Sequence, residues 1–446
     1  MTAIFLILTA AFAVLTWADL HKGLFLLVAV LPSYLLRTEL FGVPTTLLEL
    51  LAVTFLVVWV IRHFPVPQLP KGGLGGVAER LSGVTVTAAF LLLAATIAVF
   101  VAPDRLAALG VWKAYFIEPI LLFFAVRHEL LRAPTPPSPP SGRGGILAEQ
   151  LFVALGVSAL VLSLIAIFQW LTGSGLPIPW DIERRVTSVF DYPNALGLFL
   201  GPIVVIAFLK IPRAIRTFWL AVALLSSIAI ILAQSEAAIV SIVATLLIAG
   251  LWNKKTRIFS SSLLALLVLL VLFVPALRTK LTLQDYSGSV RLSQWTETVD
   301  MLRDHWFLGA GLSGYPTLFE PYHQATHLEI FQYPHNIILN IWVELGLLGL
   351  VSFVLLAWQI LLSLRGGSST STDEAILRRA KGLLRSLALP RNDTQLVALL
   401  ALLQMTIHGL VDVPYFKNDL AILTWILLAI IFAYAQPAPA SKTSRS

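Results

Sequence analysis

Residues 331–350, FQYPHNIILNIWVELGLLGL, pass from a polar loop into a long apolar segment. Pro334 and His335 stand at the transition, and apolar residues then dominate as far as residue 364. Because a transmembrane helix needs about 20 mostly apolar residues, this stretch predicts a membrane-spanning helix over 336–364. Pro334 would lie near its first turn, where proline is tolerated.

Segments of the same kind fill the rest of the chain. Residues 2–17 and 23–36 form one span or two, and clearer spans lie at 44–61, 81–102, 110–126, 147–170, 194–209, 218–233, 237–252, 258–277, 395–411 and 419–436. We therefore predict an all-α polytopic membrane protein with about 12–13 transmembrane helices. Residues 1–446 would form a single membrane domain.

The composition excludes several other classes of protein. Of the 446 residues, 58% are hydrophobic and 12% are charged, which is about half the charged fraction of an average soluble domain. The absence of cysteine excludes disulfides, thiolate metal sites and cysteine nucleophiles. The net charge of +7 is compatible with nucleic-acid binding, but the positions of the charges suggest another cause.

The basic residues lie mainly in alternate loops. One set of loops contains 20 Lys and Arg with 5 acidic residues, and the other contains 9 basic and 12 acidic residues. The positive-inside rule places the first set in the cytoplasm, namely 62–80, 127–146, 210–217, 253–257, 365–394 and 437–446. The basic excess is therefore topological, so we expect the lipid bilayer, and no nucleic acid, as a partner.

Two cytoplasmic segments have the composition of spacers. Residues 133–145 are rich in Pro, Ser and Gly, which predicts a disordered linker. Residues 366–394 begin in the same way and continue into a basic amphipathic helix that we expect on the anionic inner leaflet. The cytoplasmic loops show no glycine-rich phosphate loop and no histidine-rich constellation, so an ATP-driven mechanism is not expected.

The longest loop, 278–334, faces outward and contains 57 residues. Long ordered loops often carry function. Within it, residues 291–309 place apolar side chains at helical spacing, which predicts a short amphipathic helix on the outer membrane surface. Arg291 would start this helix and Trp295 would lie at headgroup level. A solvated or headgroup-facing charge is the alternative interpretation of Arg291.

The same loop permits a metal hypothesis. His323 and His327 are four residues apart, with Glu329 nearby, and two such imidazoles can bind zinc. No third and fourth ligands follow at an informative spacing. We therefore predict no metal and no cofactor.

The segment after the loop takes polar residues into the membrane. His335 would lie beside the free N–H groups and positive dipole end of the predicted helix, which favours a neutral imidazole and attracts phosphate. Asn336, Asn340 and Glu344 then follow on one helix face. Polar groups at this depth must face protein or a wet cavity, so they either line a site or join helices.

Two further outward segments have residues that could complete a site. Arg184 and Arg185 precede a predicted span that opens with the YPN sequence ending at Asn194. His408 and Asp412 lie four residues apart near the outward end of another span. Asp412 could orient that imidazole, accept an arginine, or form a structural ion pair.

Together these motifs resemble the O-antigen ligase and polymerase superfamily. The resemblance rests on Arg291 with Trp295, the G-x-G turn 309–311, the Pro-His-Asn sequence 334–336 and the E-x-G-x-x-G segment 344–349. RRVTSVFDYPN, residues 184–194, is similar to the family's Arg-x-x-G-x-F-x-x-Pro-Asn segment, with Ser188 in place of the glycine. Residues 233–237 depart from the family's Thr-x-Ser-Arg-Gly stretch, since Glu236 replaces the arginine.

The resemblance implies a GT-C-like membrane glycosyltransferase of the cell inner membrane, with its active site on the periplasmic or extracytoplasmic side. It would transfer a glycan from an undecaprenyl-pyrophosphate carrier to a hydroxyl of a glycan, lipid or protein acceptor, without metal or nucleotide. Arg291 and Arg185 would clamp the pyrophosphate, and His335 would activate the acceptor or steady the leaving diphosphate. The other substrate-binding residues would be Arg184, Asn194, Trp295, Asn336, Glu344, His408 and Asp412.

Several alternatives stay open at this point. A polysaccharide polymerase or a protein O-oligosaccharyltransferase of the same superfamily would differ from a ligase in the acceptor. A transporter or flippase of lipid-linked sugars would be favoured by discontinuous helices and internal repeats, and the sequence shows no repeat. A scaffold in an envelope complex would not need Arg291.

Overall fold

The computed structural model describes residues 2–40, 43–63, 83–132, 143–211, 215–324, 329–363 and 393–434. Residues 133–142 of the predicted linker lie outside this range, as do residues 366–392 with their predicted amphipathic helix. The remaining ends of both segments are not linkers, because Arg143 and Asp393 are already the first residues of helices.

Within the described residues the chain is predominantly helical. In chain order the helices are α1 Thr2–Ala18, α2 Leu20–Ala29, α3 Leu47–His63, α4 Gly83–Val101, α5 Arg105–Trp112, α6 Glu118–Arg132, α7 Arg143–Thr172, α8 Pro193–Lys210, α9 Arg216–Leu232, α10 Glu236–Trp252, α11 Arg257–Phe273, α12 Pro275–Leu281, α13 Tyr286–Asp304, α14 Tyr315–Phe319, α15 Ile337–Ser363, α16 Asp393–His408 and α17 Asn418–Ala433. A π-helical turn, Lys113–Ile117, joins α5 to α6, and 3-10 turns lie at Leu31–Leu35 and Glu320–Tyr322.

One small β-hairpin is an addition to the all-α prediction. Strands β1, Arg37–Leu40, and β2, Val43–Thr46, pair antiparallel, with Arg37 opposite Thr46. They connect the first two helices to α3. No sequence pattern marks these strands, because each has only four residues.

The polytopic all-α prediction is confirmed, but the count of 12–13 spans is not reached. Among the described residues, five helices are long and apolar enough to cross a membrane: α4, the continuous Arg105–Arg132, Gly145–Thr172 of α7, α8 and α15. A sixth would combine α11 with Pro275–Asp304, which bends by 100° at the break. Several other predicted spans are helices of 17 residues or fewer, and these cover about 25 Å of a hydrocarbon core about 30 Å thick.

Helices α8 and α17 lie in the core of the molecule. Both are apolar on all faces and are buried along almost their whole length, as expected of a helix without a polar face. α8 packs against α9 and α16, and α17 packs against α6 and α16. The N-terminal end of α8 lies close to the N-terminal end of α17, since the Lys417 ammonium is 4.3 Å from the centre of the Tyr192 ring.

Three glutamates predicted inside spans differ in their partners. Glu49 lies 3.1 Å from the Lys113 ammonium, and Glu149 forms an ion pair with Lys210. Both oxygens of Glu118 are buried without a hydrogen-bond partner among the described residues. The first two are therefore structural ion pairs, which lower the cost of a buried charge.

The predicted outward loop 278–334 is largely helical. The side chain of Asp285 accepts the N–H of Gly288 at 3.2 Å and so caps α13. The amphipathic helix therefore runs over Tyr286–Asp304 instead of 291–309, and Arg291 lies in its second turn. Leu292 and Val299 are exposed, as a helix on a membrane surface requires.

Candidate active site

His335, His408 and Asp412 form the centre of the candidate site. His335 precedes α15, His408 ends α16, and Asp412 follows in the next loop. The His335 Nδ1 is 3.7 Å from the Asp412 Oδ1, a separation that fits an ion pair but exceeds a direct hydrogen bond. His408 interacts electrostatically with both Asp412 and Arg291. The structure thus brings together four of the predicted site residues.

The backbone at His335 is held in an unusual conformation by α13. Its φ of 46° lies in the left-handed region, which a non-glycine residue adopts at a cost. The Trp295 Nε1 donates to the Pro334 carbonyl at 2.8 Å, and the Gln294 Nε2 donates to the Tyr333 carbonyl at 3.0 Å. Trp295 therefore positions the His335 segment, which differs from its predicted role at headgroup level.

Asn336 caps α15 and does not belong to a stripe along it. Its Oδ1 accepts the N–H groups of Ile338 and Leu339 at 3.0 and 3.1 Å, and the Ile337 N–H donates to the Gly409 carbonyl at 2.7 Å. The prediction that α15 offers free N–H groups to a phosphate was wrong for these three donors, because the cap and the neighbouring loop already use them.

Arg291 keeps hydrogen-bonding capacity toward the site. Its Nη1 donates to the Ser287 hydroxyl at 2.7 Å. Its Nε is buried and has no partner among the described residues. His408 is 1% exposed, and neither of its ring nitrogens has a hydrogen-bond partner in the described part of the chain. Buried polar groups without partners are uncommon, so both side chains have unused capacity for a ligand.

Glu344 anchors the loop that follows α13. Its Oε2 accepts the Ser313 N–H at 2.7 Å, and the residue is only 5% exposed. A backbone donor of the protein therefore occupies one oxygen of the carboxylate for which the sequence predicts a substrate-binding role. Asn340, one turn earlier, is also buried.

The two glycine motifs of the sequence interlock. Gly346 has a φ of 65° and breaks α15, and the Leu347 N–H beyond the break donates to the Phe307 carbonyl at 2.9 Å. On the other side, the Ala310 N–H donates to the Val343 carbonyl at 2.7 Å. The G-x-G turn therefore docks on the break, and neither partner element leaves room for larger residues.

Arg185 contacts the segments of Trp180 and Ala233. Its Nε donates to the Ala233 carbonyl at 3.2 Å and its guanidinium lies 5.0 Å from the Trp180 ring centre. Burial lowers the pKa of Arg185, while Glu183 and Glu236 act in the opposite direction. Within the described residues, no hydrogen bond or ion pair connects it to Arg291 or His335, so the two-arginine clamp stays a prediction.

The other predicted groups of this region are more peripheral. Arg184 is exposed, and Asn194 lies in the first turn of α8. Glu236, which replaces the family's arginine, pairs with Lys280. His323 pairs with Glu297 at 3.1 Å, and its suggested zinc partner His327 lies outside the described residues.

Residues 220–354 match the family model described as O-antigen ligase. This match supports the resemblance of the chain to the O-antigen ligase and polymerase superfamily. No curated protein matches the chain. The O-antigen ligase region contains Arg291, His335 and both interlocking glycine motifs, whereas His408 and Asp412 reach the site from outside it. Members of this family are glycosyl-transfer enzymes, so the match supports an enzyme embedded in a membrane.

Three residues near the candidate site are not predicted from the sequence. The Tyr192 and Tyr333 hydroxyls are 2.9 Å apart. Lys417 lies over the Tyr192 ring and interacts with Asp412 and Asp419, and burial lowers its pKa. One sequence signal marks this loop: Lys417 directly precedes an apolar span that begins with Asn418 and Asp419.

Replacing Gly309 with alanine should destabilise the protein. Gly309 has a φ of 68°, and an added Cβ would lie 2.2 Å from the Val343 carbonyl oxygen. We expect a loss of more than about 1 kcal/mol in the free energy of unfolding. The matched control is Gly110→Ala in α5, where a Cβ meets nothing within 4 Å and alanine favours the helix. Equal unfolding midpoints for both variants in detergent would contradict the interlocking role.

Proposed function

We propose that the protein is a GT-C-like O-antigen ligase, which transfers a glycan from an undecaprenyl-pyrophosphate carrier to an acceptor hydroxyl at the outer face of the inner membrane. The convergence of Arg291, His335, His408 and Asp412 from three separate segments is the observation that carries this proposal. A base, a carboxylate that orients it and a cation are the groups that such a transfer needs.

The reaction follows from the positions of these groups. The acceptor oxygen attacks the anomeric carbon of the glycan, a new carbon–oxygen bond forms, and the bond from that carbon to the phosphate oxygen breaks. The acceptor proton passes to the Nε2 of His335, because its Nδ1 faces Asp412. The lipid diphosphate leaves with the electron pair of the broken bond.

Asp412 is suited to orient the imidazole because it remains a carboxylate. Burial alone would raise its pKa, but interaction with His335, with His408 and with the Val413 N–H lowers the pKa below its ordinary value of 3.8. The carboxylate is thus present at neutral pH and stabilises the imidazolium that forms when His335 takes the proton.

Arg291 and Lys417 are the cations that we assign to the diphosphate. Guanidinium groups bind phosphate oxygens through two parallel hydrogen bonds, and the buried Nε of Arg291 is unused. In this proposal Lys417 has the role that the family resemblance implies for Arg185. The Lys417 ammonium interacts electrostatically with Asp412.

The broken helix α15 bears on the transporter alternative. Transporters use such breaks to line a substrate cavity. Here the break at Gly346 is filled by the backbone of residues 307–310. This packing favours a fixed catalytic scaffold over a moving gate.

The proposal is tested by Arg291→Ala in proteoliposomes supplied with lipid-linked glycan and acceptor. A charge-assisted hydrogen bond contributes about 1.5–3 kcal/mol, so we expect the KM for the donor to rise by roughly 10–100-fold. Arg303→Ala is the matched control, because Arg303 lies in the same helix and is 74% exposed. An unchanged donor KM in the Arg291 variant would refute the assignment.

A further inference from the structure

A second cluster of titratable side chains lies where α3 and α6 end. His63 is the last residue of α3, and His128 and Glu129 lie in the last turns of α6. Loop charges predict that this end faces the cytoplasm. The loop sequences do not reveal this cluster, because its residues are distant in sequence and the packing of α3 against α6 joins them.

The geometry of the cluster matches a metal site. The Glu129 Oε1 is 3.2 Å from the His63 Nε2 and 3.3 Å from the His128 Nδ1. In a tetrahedral zinc site with bonds of about 2.0–2.1 Å, neighbouring ligand atoms are about 3.3–3.4 Å apart. All three ligand atoms lie within 4.8 Å of one another. His21, whose Nε2 is 3.5 Å from the Glu129 Oε2, stands next to them.

Trp59 supplies the outer contacts that orient metal ligands. Its carbonyl is 2.9 Å from the His63 Nδ1, and only a protonated nitrogen can donate there. The Nε2 of a neutral His63 therefore presents its lone pair to the carboxylate, an arrangement that a cation between them stabilises. The Trp59 Nε1 also donates to the Glu129 Oε1 at 3.0 Å. Such partners fix the tautomer and direction of the ligands.

The surroundings favour zinc over magnesium or calcium. The side chains of His63 and Glu129 are each only 10% exposed, so a charge there needs compensation. Imidazoles with a single carboxylate suit zinc, whereas magnesium and calcium prefer several oxygen ligands. A cleft of about 380 Å³ gives access, lined by Trp59, Phe124, Arg127, His128, Leu131 and Arg132.

We propose that His63, His128 and Glu129 bind a zinc ion that fastens α3 to α6, away from the glycan-transfer site. The fourth ligand is His21 or water. This proposal does not depend on the proposed transferase activity.

Cobalt(II) provides the direct test, because its visible absorption reports tetrahedral coordination. The full chain, purified without a histidine tag, is titrated with cobalt and then with zinc. We expect one cobalt per chain with a visible band that zinc displaces. His63→Ala and His128→Ala should abolish the band, and Trp59→Phe should weaken zinc binding by about 10–100-fold.

His305→Ala is the control, since His305 lies after α13 and outside the cluster. It should bind cobalt as the wild type does. His128 is 35% exposed, so its replacement tests the proposal even where the His63 variant does not fold. Absence of a stoichiometric band in the wild type, or a band retained in both histidine variants, would show that the cluster is an ion-pair network without metal.

Discussion

The His335→Ala protein should insert and fold but transfer glycan about 10²–10⁴ times more slowly than the wild type, the usual contribution of a general base. His335 is the residue whose Nε2 is free to take the acceptor proton while Nδ1 faces Asp412. The variant should keep its affinity for the donor, because we assign the diphosphate to Arg291 and Lys417 and not to His335.

The measurement is the initial rate of transfer with purified lipid-linked glycan, together with the donor KM. His305→Ala is the matched control, since it also removes an imidazole on the outward side but outside the site. A His335→Ala enzyme with the rate of the wild type, at equal insertion into the membrane, would exclude His335 as the base.

Asp412→Asn should reduce transfer by up to about 10⁴-fold, the loss known when the carboxylate partner of a catalytic histidine is made neutral. Asparagine preserves the volume of Asp412 but removes its charge, so the imidazolium formed during the reaction loses its stabilising partner. Because Asp412 is 1% exposed, the substitution also removes a buried anion that interacts with His408.

The pH dependence gives this prediction a second readout. Since the pKa of Asp412 is lowered below 3.8, its carboxylate is present at all higher pH values, and its contribution disappears only as the pH falls through the lowered pKa. At pH 7 and pH 8 the wild type therefore has the carboxylate and the Asp412→Asn variant lacks it, so the variant should transfer glycan more slowly than the wild type at both pH values. Equal rates of the two proteins at these pH values would mean that the Asp412 charge does not contribute to transfer.

The helices and most of the site residues could be predicted from the sequence. Long apolar segments mark the helices, because a chain inside the bilayer must form its backbone hydrogen bonds within each helix. Arg291, His335, His408 and Asp412 were identifiable because charged and polar residues are so rare in this chain that each one near a span end is informative.

What the sequence could not provide was the choice of partners. Asn336 can cap a helix or extend a stripe along it, and the contact of Ile337 with Gly409 decides for the cap. Glu344 can bind a ligand or a loop, and the approach of the Ser313 N–H decides for the loop. These outcomes depend on distant segments, so local pattern contains no information about them.

The lengths of the membrane-spanning helices also depend on more than local sequence. The 258–277 segment is apolar throughout, but its helix ends at Phe273 because Pro275 starts a new helix at a large angle. Hydropathy alone counts such a segment as one full crossing. The lower number of long helices follows from breaks of this kind and from helices of 16 or 17 residues.

We propose that this protein joins a glycan to an acceptor at the His335 site. The most direct measurement follows a fluorescent glycan on undecaprenyl pyrophosphate in proteoliposomes that contain the acceptor. We predict equal amounts of joined glycan and released undecaprenyl pyrophosphate with the wild type, and both products formed about 10²–10⁴ times more slowly with His335→Ala. Redistribution of the carrier between leaflets without any joined glycan, or undiminished joining by the His335 variant, would contradict the account.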